Sequence, residues 1–222
     1  MSGAFITFEG GDGSGKTTQV AALVEHLNGV GLQAVASREP GGTELGRAIR
    51  ELLLHGGEVS PKAEALLYAA DRAHHIATVV RPALEDGIIV VADRYLDSSV
   101  AYQGVARQLG TEEVRDLSLW ATDGLMPDAT VLLDVSVSEG AARVGGTQDR
   151  IESEGRDFHE AVRQEYLAMA QAEPNRWIVV PAEGSIDAVA ARVRDAVMPR
   201  IRELLIGEPE SVQSASSGKD SQ

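Results

Sequence analysis

Gly10-Gly11-Asp12-Gly13-Ser14-Gly15-Lys16-Thr17 follows directly on the apolar run Ala4-Phe5-Ile6-Thr7-Phe8 and precedes the amphipathic stripe Val20, Leu23, Val24 and Leu27. The order is strand, glycine-rich turn, helix, and the turn matches G-x-x-x-x-G-K-[ST] in full. Glycines at 10, 13 and 15 permit backbone angles closed to other residues, so successive N–H groups can converge on phosphate oxygens. The helix opening at Gly15 adds its positive dipole end. Lys16 supplies a point charge for the outer phosphates, and the Thr17 hydroxyl is a ligand for Mg2+ held on those phosphates. Gly10, Gly11, Asp12, Gly13, Ser14, Gly15, Lys16, Thr17 and Thr18 are the expected seat of a nucleotide's phosphates.

Outward from this turn, short apolar runs at 4–9, 33–37, 88–92, 130–134 and 177–180 alternate with helical patterns. The latter fall at 15–29, 43–54, 61–85, 97–107, 111–123, 137–144, 156–172 and 185–205. Strands alternating with helices predict an α/β fold of three layers, a five-stranded parallel sheet with helices on both faces. Ile88-Ile89-Val90-Val91 is continuous rather than alternating, as a strand buried on both faces should be. Val144 to Gln148 carries two glycines between helical segments and predicts a mobile loop. Gly207 to Gln222, with one branched apolar residue and no aromatic, predicts a disordered tail.

The 222 residues fit one domain, and a net charge of −14 opposes general affinity for nucleic acid or an anionic membrane. An anionic ligand must therefore be captured locally. With no cysteine and no H-x-x-x-H pair, disulfides, thiolate metal sites and a zinc centre are not expected. Neither a membrane-length apolar stretch nor a leader pattern is evident, which predicts a cytoplasmic protein.

Four further segments carry polar chemistry. Asp93-Arg94-Tyr95 ends the third strand, at the sheet edge where open α/β folds bind ligands. Asp93 there can organise Mg2+ through water, and Arg94 can hold a phosphoryl group. Ser37-Arg38-Glu39-Pro40-Gly41-Gly42-Thr43 reads as a tight loop ending in a helix cap at Thr43, leading into a helix with Arg47 and Arg50. Tyr68 and Arg72 lie four apart on a helix and share a face, as do Ser99 and Gln103. An aromatic ring one turn from an arginine can stack a base while its neighbour holds the phosphate, and a hydroxyl with an amide can read a base edge.

In order, F-E-G-x-D-G-S-G-K-T-T, R-E-P-G-G-T, A-A-D-R-x-x-H, D-R-Y-x-D-S-S-x-A-Y-Q-G and D-R-I-E resemble the bacterial thymidylate kinases over residues 4 to 205. The resemblance implies a P-loop NTPase fold over residues 1–206 with a small lid at about 143–156, and phosphorylation of dTMP to dTDP by ATP for dTTP biosynthesis. It implies that Asp12 accepts a hydrogen bond from the deoxyribose 3′-hydroxyl. Tyr68 stands where the family usually stacks a phenylalanine on the base. Arg72 and Arg94 would hold the dTMP phosphate, Arg50 and Gln103 would bond thymine, and Glu39, Pro40, Ser99 and Tyr102 would complete the pocket. Lys16, Asp93 and Arg94 would serve catalysis together with lid arginine.

Here Val144 to Gln148 holds no basic residue, so Arg143 and Arg150 become the lid candidates, with Arg156 a third. Pro181 to Gly184 resembles the loop that packs near adenine. A homodimer built through helices on one side of the sheet is also implied. A kinase for another nucleoside monophosphate or a deoxynucleoside is the alternative. A guanine-reading switch would need N-K-x-D, and neither Asn28 nor Asn175 precedes a lysine.

Overall fold

A computed structural model describes residues 3–145 and 149–206. The tail expected at 207–222 and the centre of the expected mobile loop, 146–148, lie outside the described residues.

The five strands are β1 (Phe5–Glu9), β2 (Ala34–Arg38), β3 (Ile89–Asp93), β4 (Ala129–Asp134) and β5 (Trp177–Pro181), each within a residue of its sequence position. All pair in parallel, in the order β2-β3-β1-β4-β5. In β1, β3 and β4 alternate residues serve two cores, which is why Ile89 to Ala92 reads as an unbroken apolar run. Ile6, Phe8, Ile89 and Val91 join Val131 and Leu133 against Leu23 and Leu27 of α1 (Lys16–Gly29) and Val193 and Val197 of α9 (Ile186–Ile206). Phe5, Val90 and Ala92 face the other way, onto Ile76, Val80 and Leu96.

That second face carries α2 (Glu44–His55), α3 (Pro61–His75), α4 (Arg81–Glu85), α5 (Leu96–Ser99), α6 (Thr111–Ala121) and, beyond β4, α7 (Val137–Arg143) and α8 (Arg156–Ala172). The Thr43 hydroxyl accepts from Gly46 N at 2.9 Å, so the loop before α2 ends in the expected cap. Two helices differ from their simple reading. The stretch 61–85 is interrupted by a π segment at Ile76–Val80, and 97–107 becomes α5 followed by a π segment at Val100–Ala106. A π turn widens the helix and re-aims side chains, and such turns recur at functional sites. The second one bears Tyr102 and Gln103.

The chain builds β2 and β3 on one side of β1 and β4 and β5 on the other. The turn after β1 therefore lies where the order reverses, outside the carboxyl ends of the strands.

Candidate active site

Gly13 and Gly15 have φ of 75° and 90°, left-handed values that a glycine adopts freely. Gly13 is constrained a second time, because a Cβ there would overlap the Gly140 carbonyl of α7. Loop and helix thus meet backbone to backbone. Lys16 Nζ donates to Gly10 O at 3.0 Å and Gly11 O at 2.8 Å, so its ammonium lies inside the loop. Burial, and then the neighbouring Arg94, pull its pKa down to about 8. Thr17 Oγ1 donates to Asp93 Oδ2 at 2.5 Å. Lys16, Thr17, Thr18 and Asp93 line one cavity with Asp12 and Arg94.

A second cavity, of about 100 Å3, opens beside it. Its walls bring together every residue expected on the dTMP side: Asp12, Glu39, Pro40, Arg50 and Tyr68, then Arg72, Arg94, Ser99, Tyr102 and Gln103. Asp12, Glu39, Arg50, Arg94 and Glu152 line both cavities, so the two spaces adjoin along those side chains. Arg94 has a φ of 70°, unusual for a residue with a side chain, and that turn aims its guanidinium back over the loop. It donates to Asp12 Oδ1 at 2.5 Å, Gly10 O at 3.3 Å and Ser98 Oγ at 3.1 Å. Burial alone would raise the Asp12 carboxyl, but Arg94 and Lys16 outweigh it and hold the group below its ordinary value. Asp12 therefore remains an acceptor.

Arg72 is buried within the wall, donating to Glu39 Oε2 at 2.8 Å, Ser118 Oγ at 3.0 Å and Ser99 Oγ at 3.1 Å. His75 Nδ1 sits 2.9 Å from the other oxygen of Glu39. Gln103 Nε2 donates to Glu64 Oε1 at 2.8 Å. Tyr68 is half-buried, and desolvation with the nearby Glu64 pushes its phenol up to about 12. It presents a neutral ring.

The arginines expected in the lid have protein partners in this structure. Arg150 donates to Glu64 Oε2 at 2.5 Å and Leu53 O at 2.8 Å, behind Gln103 and Leu54 of the second cavity's lining. Arg143 donates to Glu139 Oε1 at 2.5 Å and to Ala182 O at 2.9 Å, in the 181–184 loop. Neither lines the Lys16 cavity. Arg156 lines a third cavity of about 250 Å3, beside α7 and α8, with Gly11, Asp12 and His159.

Several site residues carried no role in the sequence reading. Glu9 is fully buried at the end of β1 and accepts from Tyr95 N at 2.8 Å, Ser98 Oγ at 2.6 Å and Tyr166 OH at 2.9 Å. Burial, reinforced by Asp97, raises its pKa to about 7. Tyr166 comes from α8, far along the chain, and no local pattern announces it. Asp149, Ile151 and Glu152 line the second cavity, and the D-R-I-E match was the available signal. Arg38 lines the Lys16 cavity, where its R-E-P motif had pointed without assigning it.

The chain matches the family model described as Thymidylate kinase over residues 8–193. It is 57% identical over 198 residues to a thymidylate kinase of Clavibacter sepedonicus, covering 87% of this chain and 94% of that one. It is 58% identical over 196 residues to one from Leifsonia xyli, covering 86% and 93%. The crystal structure of a thymidylate kinase from Ehrlichia chaffeensis superposes with a TM-score of 0.76 at 30% identity, covering 89% of this chain and 100% of that one. With a glycine-rich phosphate turn at the switch point of a parallel sheet and a second cavity beside it, this chain belongs to the thymidylate kinase family.

Proposed function

We propose that this chain transfers the γ-phosphoryl group of ATP to the 5′-phosphate of dTMP, giving dTDP and ADP, with the ten expected residues in the lining of the second cavity holding dTMP and the loop at 10–18 holding ATP. The observation that carries the reading is the meeting of the two cavities at Asp12 and Arg94. Donor and acceptor phosphates bound on either side would converge there. The acceptor is already an anionic phosphate oxygen, so alignment and charge neutralisation, rather than a strong base, lower the barrier. Lys16 neutralises the outer phosphates and Arg94 the acceptor phosphate. Arg72 sets the wall through Ser99 and Glu39 and adds positive charge behind it.

Thr17 and Asp93 form an oxygen-only donor set at the mouth of the loop, which fits Mg2+ held mainly by phosphates. Thr17 would ligate the ion directly and Asp93 through water. Bound there, Mg2+ offsets charge on the β- and γ-phosphates. Residues 143–156 act as the lid of a domain spanning 1–206, and Arg143 is its arginine nearest the loop that resembles the adenine-side segment.

The enzyme works as a homodimer through α2, α3 and α6, where Leu52, Leu66 and Trp120 are 55%, 58% and 81% exposed on adjoining helices. Trp120→Glu should shift the mass in sedimentation to that of a monomer. Unchanged dimer, or a monomeric starting protein, removes this interface.

The activity is tested by ADP formation with dTMP, dUMP, dCMP, dGMP and thymidine in parallel. The highest kcat/KM should fall to dTMP. Preference for another monophosphate or for thymidine would overturn the assignment.

A further inference from the structure

We infer that Glu64 is a specificity-positioning residue: by holding the Gln103 amide with its N–H side outward from the ligand, it makes the enzyme select a pyrimidine that presents an N–H donor at its base edge. The inference rests on the proposed dTMP activity and deepens it.

Glu64 is fully buried on α3 and accepts from three side chains. Gln103 Nε2 reaches Oε1 at 2.8 Å. Arg107 Nε reaches the same oxygen at 3.3 Å, and Arg150 reaches Oε2 at 2.5 Å. A carboxylate bridged by two guanidinium groups offers lone pairs and no proton. The Gln103 amide could in principle be turned either way, presenting oxygen or NH2 to the cavity. Turned so that its oxygen faced Glu64, two acceptors would meet in a buried site, which low dielectric makes costly. Glu64 thus fixes the amide's sense.

The consequence falls on the ligand. Gln103 lines the second cavity, and among the described residues no donor side chain bonds to its Oε1. Its oxygen is the end left to meet a base. An acceptor there suits the N3–H of thymine or uracil, and is mismatched to the unprotonated N3 of cytosine. Two acceptors face each other in that case, and sites built around a buried hydrogen bond discriminate strongly against ligands that leave it unmade. Glu64 does not touch the base, so its role is read through a ratio rather than through rate alone.

The test compares dTMP with 5-methyl-dCMP, which keeps the methyl group and alters the N3 and C4 edge, and with dUMP, which keeps the N3–H. Glu64→Gln retains the shape but has an amide that can donate or accept, so Gln103 is free to turn. The expected result is a fall of about 10- to 100-fold in the kcat/KM ratio of dTMP to 5-methyl-dCMP. The dTMP to dUMP ratio should stay unchanged. A purely structural role lowers all three rates together and moves neither ratio, which would overturn the inference. Glu64→Asp, still an acceptor, should restore the first ratio.

Should Glu64→Gln fail to fold, the wild-type enzyme carries the test through the Gln103 side-chain NH2, assigned by NMR against Gln103→Leu. One of its protons should be shifted downfield and protected from exchange before any nucleotide is added. A freely exchanging NH2 would refute the orientation. If the wild-type enzyme does not phosphorylate dTMP at all, it is the activity that falls, while the NMR result still decides the amide's orientation.

Discussion

Arg94 Nη2 lies 2.5 Å from Asp12 Oδ1, joining the end of β3 to the centre of the phosphate loop. The pair is the hinge between the two cavities, and both partners are about four-fifths shielded from water. Such a pair is worth more for placing the guanidinium than for stabilising the fold, since desolvation offsets much of the Coulomb gain.

Arg94→Lys keeps the charge but loses the planar fork that spans Asp12, Gly10 O and Ser98. Turnover should fall by about 100- to 1000-fold, as for other lost transition-state contacts. Steady-state kinetics with dTMP varied would show this. Turnover within a few fold of wild type would mean that charge alone suffices.

Tyr68 should separate base binding from nucleotide binding in general. Tyr68→Ala is expected to weaken dTMP by about 1–3 kcal/mol, the range of base stacking on an aromatic ring, and to leave ATP affinity nearly unchanged. Calorimetric titration of each nucleotide decides it. Equal losses would make Tyr68 a wall residue only.

The two lid arginines should behave differently, because their partners do. Arg150→Ala leaves buried Glu64 short of a charge partner behind Gln103, so the KM for dTMP should rise and the melting temperature drop. Arg143→Ala breaks contacts with Glu139 and the Ala182 carbonyl and should act on turnover and ATP, with dTMP binding spared. Single-turnover transfer beside equilibrium binding resolves the two. Identical profiles would contradict this division.

Glu9 should make stability depend on pH. Its folded pKa of about 7 lies above the ordinary 4.5, so between those values the folded chain binds the extra proton. Its stabilising contribution is whole below about 4.5 and is lost as pH rises through 7. Relative to wild type, Glu9→Gln should therefore gain roughly 1–3 kcal/mol on going from pH 5 to pH 8. Urea unfolding at both values is the measurement. A difference that is flat, or of opposite sign, would show that Glu9 ionises normally.

Strands and phosphate loop were readable because their determinants are local. Ile88 to Val91 must be apolar on both faces, and Gly13 to Lys16 must meet phosphate with backbone and one cation. The grouping of residues around the second cavity was readable mainly through motif resemblance, although the pairing of Tyr68 with Arg72 on one helix face already suggested it. What could not be read was set by distant partners. Nothing around Val100 foretells a π turn, and nothing in D-R-I-E reveals that Arg150 binds Glu64, 86 residues earlier. Tyr166 meets Glu9 across 157 residues, a contact that only the packing of α8 on the sheet creates.

The backbone contact of Gly13 with Gly140 couples the phosphate loop to α7 without slack. With no side chain between them to yield, a shift of either backbone would be passed directly to the other. Amides drawn inward by a triphosphate would then press on α7, whose last residue is Arg143, and donor recognition and the placing of that arginine would be one displacement.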